Sequence, residues 1–396
     1  MKLFKSLLVA PATLGLLAPM SATANEINLA GVSGYSSSEE VQSISEFNAA
    51  EELAVTNSRV DGLEARLNNF EAGSFSETTT ASFSADFMIG SVDGLGIETG
   101  VTDGDEDVQA IYNFNIGLNT SFTGEDSLDI AIDSGNAPLT GTTYVGPLAE
   151  FDPEGTDDVL TVDGVSYTFP VGDNTTVMVG DNTDGSELFT TACAYGGPSN
   201  TLDDCGNVNA AITGGGTMVG ASYDFGNGFT AAVGYAGSGS TDGIATEASL
   251  DSIGANFAYI QDTYGISLTY GSVEATAAND NVYTALNAYW TPEGYPSFSV
   301  GYEIGDLGGQ AANADESINY FLGIEFGEVG PGTFGAAIGT SGGQQEGQEE
   351  ELMYEAYYAY PVNDGMTITP LVFVKEQATA GTPDQTGIMV KTSFSF

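Results

Sequence analysis

From about Ser76 to Phe396 the chain alternates two kinds of side chain with a period of two, and the polar partner is never the one a soluble sheet would choose. Tyr112, Phe114, Ile116 and Leu118 alternate with Asn113, Asn115, Gly117 and Asn119. Tyr264, Ile266, Leu268 and Tyr270 alternate with Gly265, Ser267, Thr269 and Gly271, and Phe298, Val300, Tyr302 and Ile304 with Ser297, Ser299, Gly301 and Glu303. A β-sandwich hides its apolar face and turns a charged one to water. Here one face is aromatic and aliphatic and the other is mostly Asn, Ser, Thr and Gly, as expected when the first meets lipid and the second lines a wet lumen.

This period marks sixteen strands, the first near 80–92 and the last at 386–396, joined by connections that alternate short and long. Short turns such as Phe225-Gly-Asn-Gly228, Thr291-Pro-Glu-Gly294 and Val362-Asn-Asp-Gly365 alternate with long segments such as the acidic Val101–Asp107. Outer-membrane barrels have that asymmetry, with short periplasmic turns and long external loops. The count spans fourteen to eighteen because the pattern is weakest at 127–133 and 159–169. The fold class expected is all-β: a transmembrane antiparallel β-barrel of about 16 strands over 76–396, preceded by a short N-terminal coiled-coil helix. The sequence stops inside a strand with Phe394 and Phe396 on its apolar face, an edge that closure onto the first strand would remove.

Charge removes most other functions. The chain of 396 residues has 6 Lys+Arg against 55 Asp+Glu and no histidine, for a net charge of -49. Such a surface repels phosphate backbones, so no nucleic-acid partner is expected. Without histidine there is no Ser-His-Asp or Cys-His catalysis and no His-ligated metal; no enzyme activity and no cofactor are expected. The runs Asp103–Asp107 and Asp181–Gly185 offer the oxygen ligands that calcium prefers, but neither completes an EF-hand loop, so no metal is assigned. A barrel-embedded hydrolase normally needs a histidine, and a TonB-dependent receptor needs a plug domain and about twenty-two strands.

The N-terminal part divides into three. Lys2 and Lys5, the apolar Leu7–Leu17 and Ala22-Thr23-Ala24 read as a secretory signal peptide over 1–24, interrupted by Pro11 and Pro19 as a membrane anchor would not be. A polar linker, 25–40, precedes a helical segment, 41–72. There Leu53, Val60 and Leu67 fall at heptad position a, Leu63 and Phe70 at d, Arg59 and Arg66 at g, and Glu64 and Glu71 at e. That is a short parallel coiled-coil stalk in the periplasm, and it points to a homotrimer; the alternative is an amphipathic helix packed on its own chain.

The opening Met1-Lys-Leu-Phe-Lys-Ser-Leu-Leu-Val-Ala through Pro19, the segment Arg59-Val-Asp-Gly-Leu-Glu-Ala-Arg66 and the barrel ending in Phe396 resemble the major outer-membrane porins of cyanobacteria, in the carbohydrate-selective porin group. The resemblance runs along nearly the whole chain. It implies a cyanobacterial outer-membrane location, lipid around the barrel, and assembly by the outer-membrane barrel machinery, whose signal Phe394 and Phe396 resemble. The family typically carries a surface-layer-homology domain before its coiled coil. No such motif occurs between Asn25 and Val60, so tethering to the cell-wall polymer is not expected here.

In sixteen-stranded general porins the loop after the fifth strand folds inward and narrows the pore, and the segment from about Asn182 to Thr213 occupies the matching place. Its candidate path-lining acids are Asp181, Asp184, Glu187, Asp203 and Asp204. Its two cysteines, Cys193 and Cys205, would close a loop worth about 3 kcal/mol if bonded, or stand as free or metal-binding thiols. From Arg66 to Lys375 there is no basic residue between. Lys375 falls near the outer end of strand fifteen and Lys391 on the lumen face of the last. The expected function is passive diffusion of small hydrophilic solutes and inorganic ions, with cations preferred. The alternative is a structural or adhesive outer-membrane barrel with a plugged lumen, which would carry bulky or charged inward residues.

Overall fold

The computed structural model describes residues 78–94, 107–140, 143–144, 148–214, 216–246, 248–276, 279–308, 315–342, 344–345, 349–378 and 383–396. The signal peptide, linker and stalk lie outside these residues, Leu53, Arg59, Val60, Leu63, Glu64, Arg66, Leu67, Phe70 and Glu71 included.

Sixteen long antiparallel strands form one closed sheet, with Gln344–Gln345 as a short added edge. In chain order they are β1 (Thr79–Asp93), β2 (Gln109–Thr120), β3 (Ser127–Gly135), β4 (Thr161–Val171), β5 (Thr175–Thr183), β6 (Gly216–Gly226), β7 (Phe229–Gly237) and β8 (Asp251–Ile260). They continue as β9 (Tyr264–Thr276), β10 (Asn279–Trp290), β11 (Ser297–Leu307), β12 (Glu316–Val329), β13 (Gly332–Thr340), β14 (Leu352–Asn363), β15 (Met366–Lys375) and β16 (Gln385–Ser395). The segments expected at 127–133 and 159–169 are strands and pair with each other, with a register shift between Ala131 and Ile132.

The alternation translates directly into two faces. Along β9, Leu268 is 50% exposed whereas Ser267 and Thr269 are 1% and 0% exposed, the inverse of a soluble core. Cross-strand pairs on the outer face are apolar, Leu268 opposite Leu286 and Tyr302 opposite Tyr320. At the short-turn end the outer face gathers aromatic pairs, among them Trp290 with Phe298 and Phe229 with Tyr259. At the long-loop end it carries tyrosines whose hydroxyls donate to loop acids, Tyr112 to Asp158 at 2.7 Å, Tyr354 to Glu376 at 3.1 Å and Tyr320 to Glu350. Paired aromatic belts around an apolar band suit a surface that crosses a bilayer.

Closure is made by β1 and β16, in register from Ser84 opposite Ser395 to Asp93 opposite Thr386. Phe83 and Phe396 exchange backbone hydrogen bonds at 2.9 and 3.0 Å while their rings stack at 5.8 Å. Phe394 meets Phe87 edge-on at 6.0 Å. The last residue therefore completes the seam and leaves no open sheet edge there.

The inner face is not uniformly the small polar surface expected from the alternation. On β14 to β16 and on β1 and β2 the inward phase carries Met353, Tyr357, Leu371, Phe373, Met389, Met88, Val92 and Ile111, all buried. Leu148 and Phe151, from the connection between β3 and β4, pack into this cluster. Part of the lumen wall is thus covered by chain.

Candidate pore constriction

The connection between β5 and β6 lies inside the barrel, held to the inner wall strand by strand. Thr190 N donates to Asn256 on β8, Ala192 N to Ser267 on β9 and Ala194 N to Ser299 on β11, each at 2.9 Å. Gly196 N reaches Glu325 on β12, and the Tyr195 hydroxyl donates to Glu355 on β14 at 2.6 Å. Returning, Asn287 on β10 donates to the Cys205 carbonyl at 2.8 Å. The inward Asn and Ser residues are therefore partners for loop backbone as well as a wet lining. Inward glycines do related work: a side chain at Gly301 would collide with the Cys205 carbonyl, and one at Gly234 with that of Gly185. The wall is bare where the loop lies on it.

Glu303 on β11 is the strongest of these anchors. Its carboxylate is fully buried and accepts from Asn209 N (2.8 Å), Ala210 N (2.7 Å), Asn209 Nδ2 (2.8 Å) and Asn319 Nδ2 (2.8 Å). A buried carboxylate with this many donors has its lost hydration replaced by fixed dipoles. Cys193 and Cys205 are joined as a disulfide with Cα atoms 6.4 Å apart, pinching the loop at its centre.

Beside this loop, two adjoining clefts of about 660 and 680 Å³ run along strands β16 and β1 to β5. Ser82, Ser84, Asn115 and Asp133 line one, Asp129, Ser166, Thr168, Asp184 and Glu187 the other, and both share Ala131 and Asp163. Neither is lined by a basic residue. Burial first, then Glu187 and Asp163, push the Asp184 carboxyl up to about 6. Glu154, on the connection between β3 and β4, is pushed up to about 7 by burial and by Asp133.

The sequence candidates separate accordingly. Asp184 and Glu187 line the open cleft. Asp203 and Asp204 flank the disulfide outside either lining; burial raises Asp203 to about 6, and burial, Asp203, Glu303 and Asp184 raise Asp204 to about 7. Asp181 is a correction: it belongs to β5, opposite the outward Val165, and accepts from Thr217 at 3.0 Å, so it stands at the outer rim and not in the lumen. Lys391 is on the inner face, its Nζ 5.3 Å from the Phe151 ring centroid. The sequence reading missed Asp163, because strict alternation from Val165 and Tyr167 places it outside. The register shift between β3 and β4 brings it in. It also missed Glu150, which pairs with Lys375 at 3.1 Å.

This closed barrel with an in-folded loop after the fifth strand has the fold of the outer-membrane porins. It superposes on OprB of Pseudomonas putida with a TM-score of 0.60 over 85% of this chain and 97% of that one, at 10% identity. The anion-selective porin of Comamonas acidovorans matches with a TM-score of 0.58 over 81% and 99% at 15% identity, and a mutant porin of Rh. blastica with 0.52 over 80% and 100% at 13%. In sequence the chain is similar to an uncharacterized protein of Nostoc sp., 27% identical over 89% of this chain and 71% of the relative. No protein-family model matches the chain.

Proposed function

We propose that this protein is an outer-membrane channel through which inorganic ions and small hydrophilic solutes diffuse passively, with cations preferred. The carrying observation is the pair of clefts whose linings include Asp129, Asp133, Asp163, Asp184 and Glu187 and no basic residue. A cation entering there exchanges part of its hydration for carboxylate, hydroxyl and amide oxygens, whereas an anion meets repulsion over a Debye length of about 8 Å at physiological salt. Fold alone does not set this preference, since one similar structure is an anion-selective porin. The signal peptide, the periplasmic stalk over 41–72, the homotrimer, carbohydrate as a solute, assembly by the barrel machinery and a cyanobacterial outer membrane complete the proposal. They rest on the sequence patterns and on the resemblance given above.

One observation favours the second reading, a structural barrel with a plugged lumen: the apolar inner wall of β14 to β16, β1 and β2 is covered by two loops. Reconstitution in a planar lipid bilayer separates the two. Stepwise ohmic currents support the channel. A heat-modifiable, folded barrel that passes no current supports the plug.

A further inference from the structure

The barrel, from Ser76 onward, has only two basic residues, Lys375 and Lys391. Both are directed at two adjacent residues of one short turn, Ala149–Phe151, in the connection between β3 and β4. Lys375 Nζ lies 3.1 Å from Glu150 Oε1 and 3.2 Å from Thr201 Oγ1. Glu150 in turn accepts from Thr201 N at 3.3 Å through Oε2, and from Asn200 N at 3.0 Å through its carbonyl. Lys391 lies over the ring of Phe151, which is 3% exposed. The turn's apolar side is sunk among Met88, Val92, Leu371 and Met389. Further along the same connection, Glu154 N donates to Asn113 at 2.8 Å and Asn113 to the Asp152 carbonyl at 3.4 Å.

We propose that Lys375 is the latch of a second constriction element, clamping the 148–160 segment to both the lumen wall and the first in-folded loop. By engaging both barrel lysines, this element keeps positive charge out of the passage and so determines its selectivity. Three arguments carry the assignment. Glu150 is 8% exposed, a depth at which a carboxylate needs a partner, and Lys375 is the one cation bonded to it among the described residues. The pair joins three separate parts of the chain, β15, the 148–160 segment and the 184–214 segment, so breaking it frees the contact between two loops. Neither lysine is among the residues that line the two clefts.

The selectivity part rests on the channel reading above; the latch itself does not. The test uses E150K, K375E and the swapped pair E150K/K375E in the full-length protein. Wild type resists a glutamate-specific protease at Glu154, which all four proteins keep, both single variants are cut there in detergent, and the swapped pair regains resistance. In bilayers both single variants conduct more than wild type, but selectivity moves in opposite directions. E150K loses cation preference by roughly twofold or more in permeability ratio, as when one of a few charges within a Debye length reverses, while K375E keeps or gains it. The swapped pair returns both readouts toward wild type. Equal protease resistance in all four proteins overturns the latch. Cutting of the single variants without opposite shifts in selectivity overturns the charge-shielding role. Protection and rescue in a barrel that never conducts sustain the latch and overturn the channel reading instead.

Discussion

Glu303 holds the returning half of the first in-folded loop, and replacing it tests whether that loop is a fixed constriction. In E303A the backbone N–H groups of Asn209 and Ala210 lose their acceptor, and the Asn209 and Asn319 amides lose theirs. A hydrogen bond to a charged group contributes about 1.5–3 kcal/mol, and lumen water replaces part of what is lost, so a net cost of about 3 kcal/mol is expected. At about 1.4 kcal/mol per factor of ten, that raises the locally open population of residues 207–213 roughly a hundredfold. E303Q costs less. Its carbonyl still serves the two N–H groups, but its amide faces two donors, and Asn319 relieves this only by giving up the bond it accepts from Thr340 at 3.1 Å. Hydrogen exchange at the Asn209 and Ala210 amides, measured in detergent with single-channel noise alongside, orders the proteins wild type, E303Q, E303A from most to least protected. Undiminished protection in E303A, with quiet wild-type currents, refutes the reasoning.

Acidification is expected to weaken cation preference in a window set by Asp184 (about 6), Glu154 and Asp204 (both about 7). Each is ionised above its raised value and neutral below it, so negative charge is lost between pH 8 and pH 5, above the range of ordinary carboxylates near 4. Reversal potentials at four pH values check this, and a preference flat down to pH 5 contradicts it. Reducing the Cys193–Cys205 bond removes a constraint worth about 3 kcal/mol in the chain-entropy model. It should make the 184–215 loop protease-sensitive and the current noisier while the barrel's heat-modifiability is unchanged; loss of the barrel itself would show that the disulfide does more than order the loop. Deleting Phe396 removes two seam hydrogen bonds and a ring stack on Phe83, and should lower the temperature of barrel unfolding on gels. An unaltered transition would leave the terminal residue without a role in closure. G301A should behave like a loop-release variant, since its methyl would collide with the Cys205 carbonyl; unchanged exchange at 205–210 would count against the close approach.

The strands were legible because each needs only a period of two and a turn, both local. Even β3 and β4, the least regular, were marked by alternating residues on one side of each pair. The outer face was equally plain, since lipid imposes the same demand on every strand. What could not be read was which inward residues meet water and which meet chain. Ser267, Ser299 and Asn287 look like a wet lining and are loop anchors, and Gly301 reads as a small lumen residue although the loop backbone rests on it. Met88, Leu371 and Met389 in the inward phase were the available sign of a covered wall. Long-range partners such as Glu150 with Lys375, separated by 225 positions, leave no local trace. Asp163 was hidden because one irregular residue in a strand reverses the face of its neighbours, whereas Asp181 keeps the regular outward phase of β5 and was chosen only for its place beside the loop.

The central claim is that the free passage is a carboxylate-lined path on one side of the lumen. The most direct measurement is the zero-current potential of single channels in a tenfold KCl gradient at pH 8, compared between wild type and D163N/D184N/E187Q. The account predicts a potential of the sign set by K+ in wild type and a shift toward zero in the triple variant, with the conductance retained. A potential set by Cl- in wild type, or one that the triple variant leaves unmoved, would contradict it.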